Sequence, residues 1–222
     1  MKRIKRLLIY GDSISTGTHG DGGYEPGLLK AFEPDMLANF SVGESGLSPQ
    51  TPGGMLKILK EQEQTDHAAS QDADLILVWH GTNDWYWGTP LGALGDKTED
   101  TFYGGIHQAI GRLRKRNPEA LILWGTPLYR WGMPNGGRQP GSADELKNKA
   151  GVTLLDYQKV LCDSAEQEGF SLISIGQLTK ISEKNAEQFL EDRVHPNRAG
   201  YERIEQVWIQ QIRDRWEGRA HS

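Results

Sequence analysis

Leu7-Leu8-Ile9-Tyr10-Gly11-Asp12-Ser13-Ile14, near the start of the 222-residue chain, is the stretch that decides the fold. Four apolar residues in succession suit a strand covered on both faces, the condition of a parallel sheet with helices above and below it. Gly11 permits close backbone packing at the strand's C-terminal end. In open α/β sheets ligands bind outside the carboxyl ends of the strands, so Ser13 stands where a nucleophile would face a crevice. Gly-Asp-Ser is also ordinary turn chemistry. The reading therefore depends on whether the rest of the chain supplies a base, an orienting group and an oxyanion site.

Working outward, apolar runs alternate with segments of helical period. Strands are expected at 6–10, 38–42, 74–80, 120–125 and 170–175, and helices near 26–32, 53–62, 98–116, 152–168 and 197–216. The helix at 98–116 sets Phe102, Ile106, Ala109, Ile110 and Leu113 on one stripe, and the last helix does the same with Tyr201, Ile204, Trp208, Ile212 and Trp216. Both stripes read as core, as do Trp79 and Trp124 within strands. Strand followed by helix, repeated, implies right-handed crossovers and a parallel sheet flanked by helices. No internal repeat and no dividing linker is visible, so residues 1–222 read as one domain. Two connections, 13–24 and 126–150, are long and rich in glycine or proline. Both follow expected strands, which puts both on the rim where Ser13 sits.

The bulk properties bound the function. A net charge of −5 disfavours nucleic acid and anionic membrane partners. The single cysteine, Cys162, excludes a disulfide framework and a multi-cysteine metal site, and it reads as a buried or partly buried helix residue. The basic opening Met-Lys-Arg-Ile-Lys-Arg is followed by too short an apolar run for a signal peptide, and no window reaches transmembrane length. A cytoplasmic protein without membrane insertion is the expectation. The Asn39-Phe40-Ser41 triplet matches a glycosylation acceptor, but on an expected strand it is discounted.

Three further segments carry candidate chemistry. In Asp192-Arg193-Val194-His195-Pro196, the three-residue spacing lets a carboxylate accept a hydrogen bond from the imidazole Nδ1, which leaves Nε2 to take a proton from a serine hydroxyl. Pro196 favours an extended His195 and suits the start of a helix. In His80-Gly81-Thr82-Asn83-Asp84, after the third strand, the Asn83 amide can donate to a developing oxyanion. In Gly43-Glu44-Ser45-Gly46, after the second strand, a glycine leaves a backbone N–H approachable, and both Gly43 and Gly46 suit that role. His80 reads as a packed or hydrogen-bonded structural histidine, with contact to the site as the alternative.

Gly11-Asp12-Ser13, Gly46, Gly81-Thr82-Asn83-Asp84 and Asp192-x-x-His195 stand in the order and rough spacing of the SGNH, or GDSL-type, hydrolases, and the sequence resembles that family from Leu7 through the last helix. The resemblance implies a flavodoxin-like three-layer α/β/α sandwich with a five-stranded parallel sheet, and ester or acyl hydrolysis without metal or cofactor. It implies Ser13 as nucleophile, His195 as general base and then acid, and Asp192 as the residue orienting His195. The implied oxyanion donors are the Ser13 N–H, the Gly46 N–H, preferred here over Gly43, and the Asn83 amide. Ile14 stands where the family has leucine, an exchange without chemical consequence. No Gly-x-Ser-x-Gly surrounds Ser13, so this is not the nucleophile elbow of the α/β-hydrolases.

Substrate recognition is expected to fall to Asp12 and to the aromatic residues of the rim. Trp85 and Trp87 follow Asn83, and Tyr129 and Trp131 open the second long loop. Flat rings there suit stacking on a sugar or lining of an acyl groove; packing of the loops against one another suits them equally. Arg130 and Arg138 read as solvated loop residues, with contact to an acidic substrate group as the alternative. The expected partner is a small-molecule ester carrying a short acyl group such as acetyl on a carbohydrate-like body. Longer-chain lipids or thioesters, and a non-catalytic binding module, are the competing readings.

Overall fold

The apolar runs at 7–10 and 75–79 lie side by side at the centre of a parallel sheet, with Leu7 opposite Leu75 and Gly11 opposite Trp79. The structure is a computed structural model describing residues 3–219. Its five-stranded sheet is built from β1 (Arg6–Gly11), β2 (Met36–Asn39), β3 (Leu75–Trp79), β4 (Leu121–Gly125) and, after a short hairpin, β7 (Ser171–Ile173). The strand order is β2-β1-β3-β4-β7, and every pairing is parallel. The hairpin, β5 (Trp131–Gly132) with β6 (Gly141–Ser142), is antiparallel and lies inside the second long connection.

Successive residues of the central strands bury into opposite cores, as the alternation of side chains along a strand requires. Leu7, Ile9, Leu75, Leu77 and Trp79 pack with α1 (Glu25–Phe32) and α8 (Arg198–Gly218). Leu8, Tyr10, Ile76, Val78 and Trp124 pack with α2 (Met55–Gln64), α4 (Phe102–Arg116) and α5 (Leu154–Glu168). This is a three-layer α/β/α sandwich with the sheet in the middle. Both expected stripes are buried along their whole length, from Phe102 to Leu113 and from Tyr201 to Trp216. Trp79 and Trp124 are core, and the Trp79 indole donates to the Thr126 carbonyl at 2.9 Å.

The second strand is where expectation and structure differ most. It pairs over Met36–Asn39 rather than 38–42. The ladder continues as single bonds, Phe40 N–H to the Ile9 carbonyl and Val42 N–H to the Gly11 carbonyl, so residues 40–42 still run beside β1. The Asn39 amide donates to the Ser15 carbonyl at 2.7 Å and to Glu25 at 2.8 Å, a structural role. Cys162 lies on the exposed face of α5, not in the core. Shorter helices α3 (Thr82–Trp87), α6 (Ile175–Leu178) and α7 (Ala186–Phe189) form where the sequence predicts no helix, and α6 takes the end of the strand expected at 170–175. No helix among the described residues is long and apolar enough to cross a membrane.

Candidate active site

The turn that follows β1 holds Ser13 by local hydrogen bonds. The Ile14 N–H donates to Asp12 Oδ1 at 2.9 Å, the Ser15 N–H to the Asp12 carbonyl at 2.9 Å, and the Thr16 hydroxyl to the Ser13 carbonyl at 3.0 Å. Glycine at position 11 is a packing requirement, since a Cβ there would lie 2.4 Å from Ser15 Oγ, which itself accepts from the Tyr24 hydroxyl. Asp12 is 2% exposed. It shapes the turn from beneath and lines only a cavity of about 10 Å³ with Ile14, Trp79 and His80, too small for a substrate group, which corrects its expected place among the substrate contacts. Burial pushes its carboxyl up to about 7, against the opposing pull of the Ile14 N–H and the Arg130 guanidinium.

His195 arrives from the other end of the chain, 182 residues away, yet its turn is equally well determined. An antiparallel bridge between Leu190 and Pro196, and the bond from Glu191 N–H to the His195 carbonyl, close the loop around Asp192. Asn197 then caps α8 by accepting the Gly200 N–H. Asp192 Oδ1 accepts the N–H groups of His195, at 2.7 Å, and Val194, at 2.9 Å, while Oδ2 lies 2.7 Å from His195 Nδ1. Partial burial pushes the Asp192 carboxyl up, but the His195 N–H, the imidazole and the Val194 N–H together outweigh it and hold it below the usual carboxylate range. A carboxylate only accepts, so Nδ1 carries the proton and the neutral ring presents the Nε2 lone pair. Nε2 lies 2.9 Å from Ser13 Oγ. Ser13, His195 and Asp192 are thus brought together in the order that proton transfer from serine to imidazole needs.

The expected oxyanion donors divide. Asn83 sits in the first turn of α3, and its Nδ2 donates one hydrogen to the Ser45 carbonyl at 3.0 Å, leaving the second. The Ser13 N–H makes no hydrogen bond among the described residues. Gly46 differs from expectation: it is buried, and its N–H donates to Thr51 Oγ1 at 2.9 Å. The neighbouring Leu47 N–H is likewise taken, by the buried Asp84 carboxylate at 3.0 Å, so this part of the loop is bound to α3. Burial pushes the Asp84 carboxyl up to about 6 against those N–H bonds. The open N–H groups belong instead to Gly43 and Glu44, the central pair of an exposed turn closed by Ser45 N–H to the Val42 carbonyl. Glu44 takes the left-handed conformation that the turn demands, with φ 61°. Its carbonyl accepts the Trp87 indole N–H at 3.1 Å.

The rim aromatics also divide. Trp85 is fully buried, with its indole donating to the Leu146 carbonyl at 3.2 Å, because α3 turns it inward. Tyr129 is buried as well and lines a cavity of about 530 Å³ with Pro127, Ser142 and Gln177, a lining that includes neither Ser13 nor His195. Both leave the expected substrate-contacting set. Trp87 stays half-exposed beside Glu44, and Trp131 half-exposed under the Arg193 guanidinium, with its N–H donating to the Arg193 carbonyl in the Asp192 turn. Arg130 is not solvated. It lies buried across the faces of Trp85 and Tyr86, and Nη1 donates to the Thr82 hydroxyl at 3.2 Å. Arg138 is exposed. His80 is buried, its Nδ1 makes no hydrogen bond among the described residues, and burial pushes its imidazole down to about 3.

Sequence reasoning missed His19 and Glu191. Their only trace was position, one in the first glycine-rich loop and one beside Asp192. The His19 ring stacks on His195, with centroids 4.1 Å apart and planes within 12°, and its Nδ1 is paired with Glu191 Oε1. Among the described residues no three His, Cys, Asp or Glu side chains converge as a metal-binding group.

A search of curated proteins gives no match. Among solved structures, a Lactobacillus plantarum protein superposes with a TM-score of 0.79 at 21% identity, covering 96% of this chain and 99% of its own. An acetyl xylan esterase from Geobacillus stearothermophilus superposes at 0.59 with 20% identity, over 96% and 97% of the two chains. A lipase/acylhydrolase from Enterococcus faecalis gives 0.63 at 14%, with the same coverage. These likenesses establish the shared fold. Residues 9–203, from β1 through the turn of Asp192 and His195 into α8, match a family model as well, and on that match the chain belongs to the GDSL-like lipase/acylhydrolase family.

Proposed function

We propose that this protein is a serine esterase that works through an acyl-enzyme. The observation that carries the reading is the continuous relay from Asp192 to His195 to Ser13, with links of 2.7 and 2.9 Å. Ser13 Oγ attacks the ester carbonyl carbon as its proton passes to His195 Nε2. The negative charge that develops on the carbonyl oxygen is met by the Ser13 N–H, the second hydrogen of the Asn83 amide and an open N–H of the Gly43–Glu44 turn. Collapse expels the alcohol, which takes the proton from His195. Water then gives its proton to His195 and attacks the acyl-serine, and the acid leaves as Ser13 is restored. Asp192 holds the tautomer throughout and favours the imidazolium.

The substrate proposed is a small acyl ester, such as acetyl on a carbohydrate-like molecule. Trp87, beside Glu44 of the Gly43–Glu44 turn, and Trp131, beside Arg193 of the Asp192 turn, offer half-exposed aromatic surface next to the segments that form the relay and its expected oxyanion site. The large apolar side chains left exposed, Leu29, Val42, Leu94, Met133, Leu155 and Leu178, are scattered, and among these Val42 alone adjoins the Gly43–Glu44 turn. A long acyl chain would find little apolar surface continuous with Ser13. Hydrolysis of nitrophenyl esters from acetyl to long chains, with Ser13→Ala alongside, tests both levels. Cleavage that depends on Ser13 and falls steeply with chain length supports the proposal. A preference for long chains moves the substrate to lipids or thioesters, and no Ser13-dependent turnover overturns the esterase reading.

A further inference from the structure

Two imidazoles lie face to face at the crevice, and each is held at Nδ1 by one of two consecutive carboxylates. Asp192 holds His195 at 2.7 Å, Glu191 holds His19, and the rings overlap at 4.1 Å between centroids. The loop that delivers His19 is fixed to the same support as the base. Gly20 packs so tightly on Tyr201, in the first turn of α8, that a Cβ there would lie 2.2 Å from the Tyr201 ring, and its φ of +57° suits glycine. The Tyr201 hydroxyl donates to the Ile14 carbonyl at 2.9 Å, and the Gly23 N–H closes a turn on the His19 carbonyl at 3.0 Å. Loop, nucleophile turn and α8 therefore carry His19 as a fixed part, although it comes from a glycine-rich connection.

We propose that His19 is a positioning residue of the active site: held by Glu191, its ring covers one face of His195 and keeps that imidazole aimed at Ser13. The proposal rests on the reading of His195 as the base. The need for it is visible in the exposure of the relay, because the Asp192 side chain is 52% exposed and competes with water for His195 Nδ1. The in-plane hydrogen bonds at Nδ1 and Nε2 hold the ring by its edge and leave both faces open, whereas a parallel neighbour restricts rocking about the Cβ–Cγ bond and keeps water off one face. Displacement of a reacting group by an ångström costs about 10²-fold in rate.

The test compares His19→Ala, His19→Phe and Glu191→Ala on a nitrophenyl ester, with Ser13→Ala as control. His19→Ala is expected to lower kcat by about tenfold or more with KM little changed, Glu191→Ala to act in the same direction, and His19→Phe, which keeps a flat ring of similar reach but loses the bond to Glu191, to recover part of the loss. Proton NMR of the folded variants reads the stack without turnover: the His195 ring-proton resonances shift in His19→Ala and return towards their wild-type positions in His19→Phe. An unchanged kcat in His19→Ala, or a His19→Phe enzyme as slow as His19→Ala, overturns the proposal. Undisturbed His195 resonances in His19→Ala overturn it too. Loss of Ser13-dependent turnover in the wild type would instead fall on the esterase reading, and the NMR comparison would still decide whether His19 fixes His195.

Discussion

Asp192 grips His195 twice, once through the backbone N–H at 2.7 Å and once through Nδ1 at 2.7 Å, so the carboxylate fixes both the turn and the ring it carries. Asp192→Asn retains an acceptor for the backbone but also presents an N–H₂ group that disturbs the imidazole tautomer. Turnover is expected to fall by roughly 10²–10⁴-fold, the usual scale for a positioned base. Thermal unfolding should show the fold intact. Unchanged turnover would mean that another group orients His195.

The oxyanion assignment makes a paired prediction. Asn83→Ala removes a side-chain donor and is expected to lower kcat by about 10²–10³-fold with a smaller change in KM. Thr51→Ala frees the Gly46 N–H from its 2.9 Å bond and is expected to leave kcat within about twofold, since that N–H is buried away from the reaction. Steady-state kinetics of the two variants check both. A large gain or loss in Thr51→Ala would return Gly46 to the oxyanion site.

Much of this was legible, and the failures have physical causes. β1 and β3 announce themselves because strands covered on both faces are continuous apolar runs. β2 is an edge strand, half-buried at every residue, and for want of contrast its expected start falls two residues late and its end three. The Asp192–His195 pair is local and follows from spacing, and the Ser13 turn follows from its strand. Trp85 and Trp87 were treated alike because a six-residue helix is too short for its period to show, and α3 turns one inward and leaves the other at the rim. The Glu191–His19 pair spans 172 residues and belongs to no local pattern, so tertiary structure alone reveals it.

Stability should decline as pH rises through the range set by Asp84 and Asp12. Burial raises their folded-state pKa values to about 6 and about 7, above the ordinary carboxylate value, so the folded state binds their protons more tightly. Their favourable contribution is fully present below about pH 4 and is lost as pH climbs through 6 to 7. Urea unfolding at pH 5 and pH 8 should show wild type losing more stability over that interval than Asp84→Asn, which cannot ionise. Equal losses in the two proteins would contradict the assignment.

Arg130 ties the second long loop to α3 by its bond to Thr82 and its seat on Trp85 and Tyr86. Arg130→Met, which keeps the length but loses the planar charge, is expected to cost about 1–3 kcal/mol in urea unfolding. Arg130→Lys should restore little of it, because an ammonium reproduces neither the fork nor the flat stack. A variant as stable as wild type would remove Arg130 from the structural account.

Labelling with a fluorophosphonate tests the central claim most directly, because the probe reports a serine hydroxyl activated by a neighbouring base. The expected result is a single adduct on Ser13, absent in Ser13→Ala and strongly slowed in Asp192→Asn. Labelling that persists in Ser13→Ala, or a folded wild-type protein that takes up no probe, would contradict the assignment of Ser13 as the nucleophile.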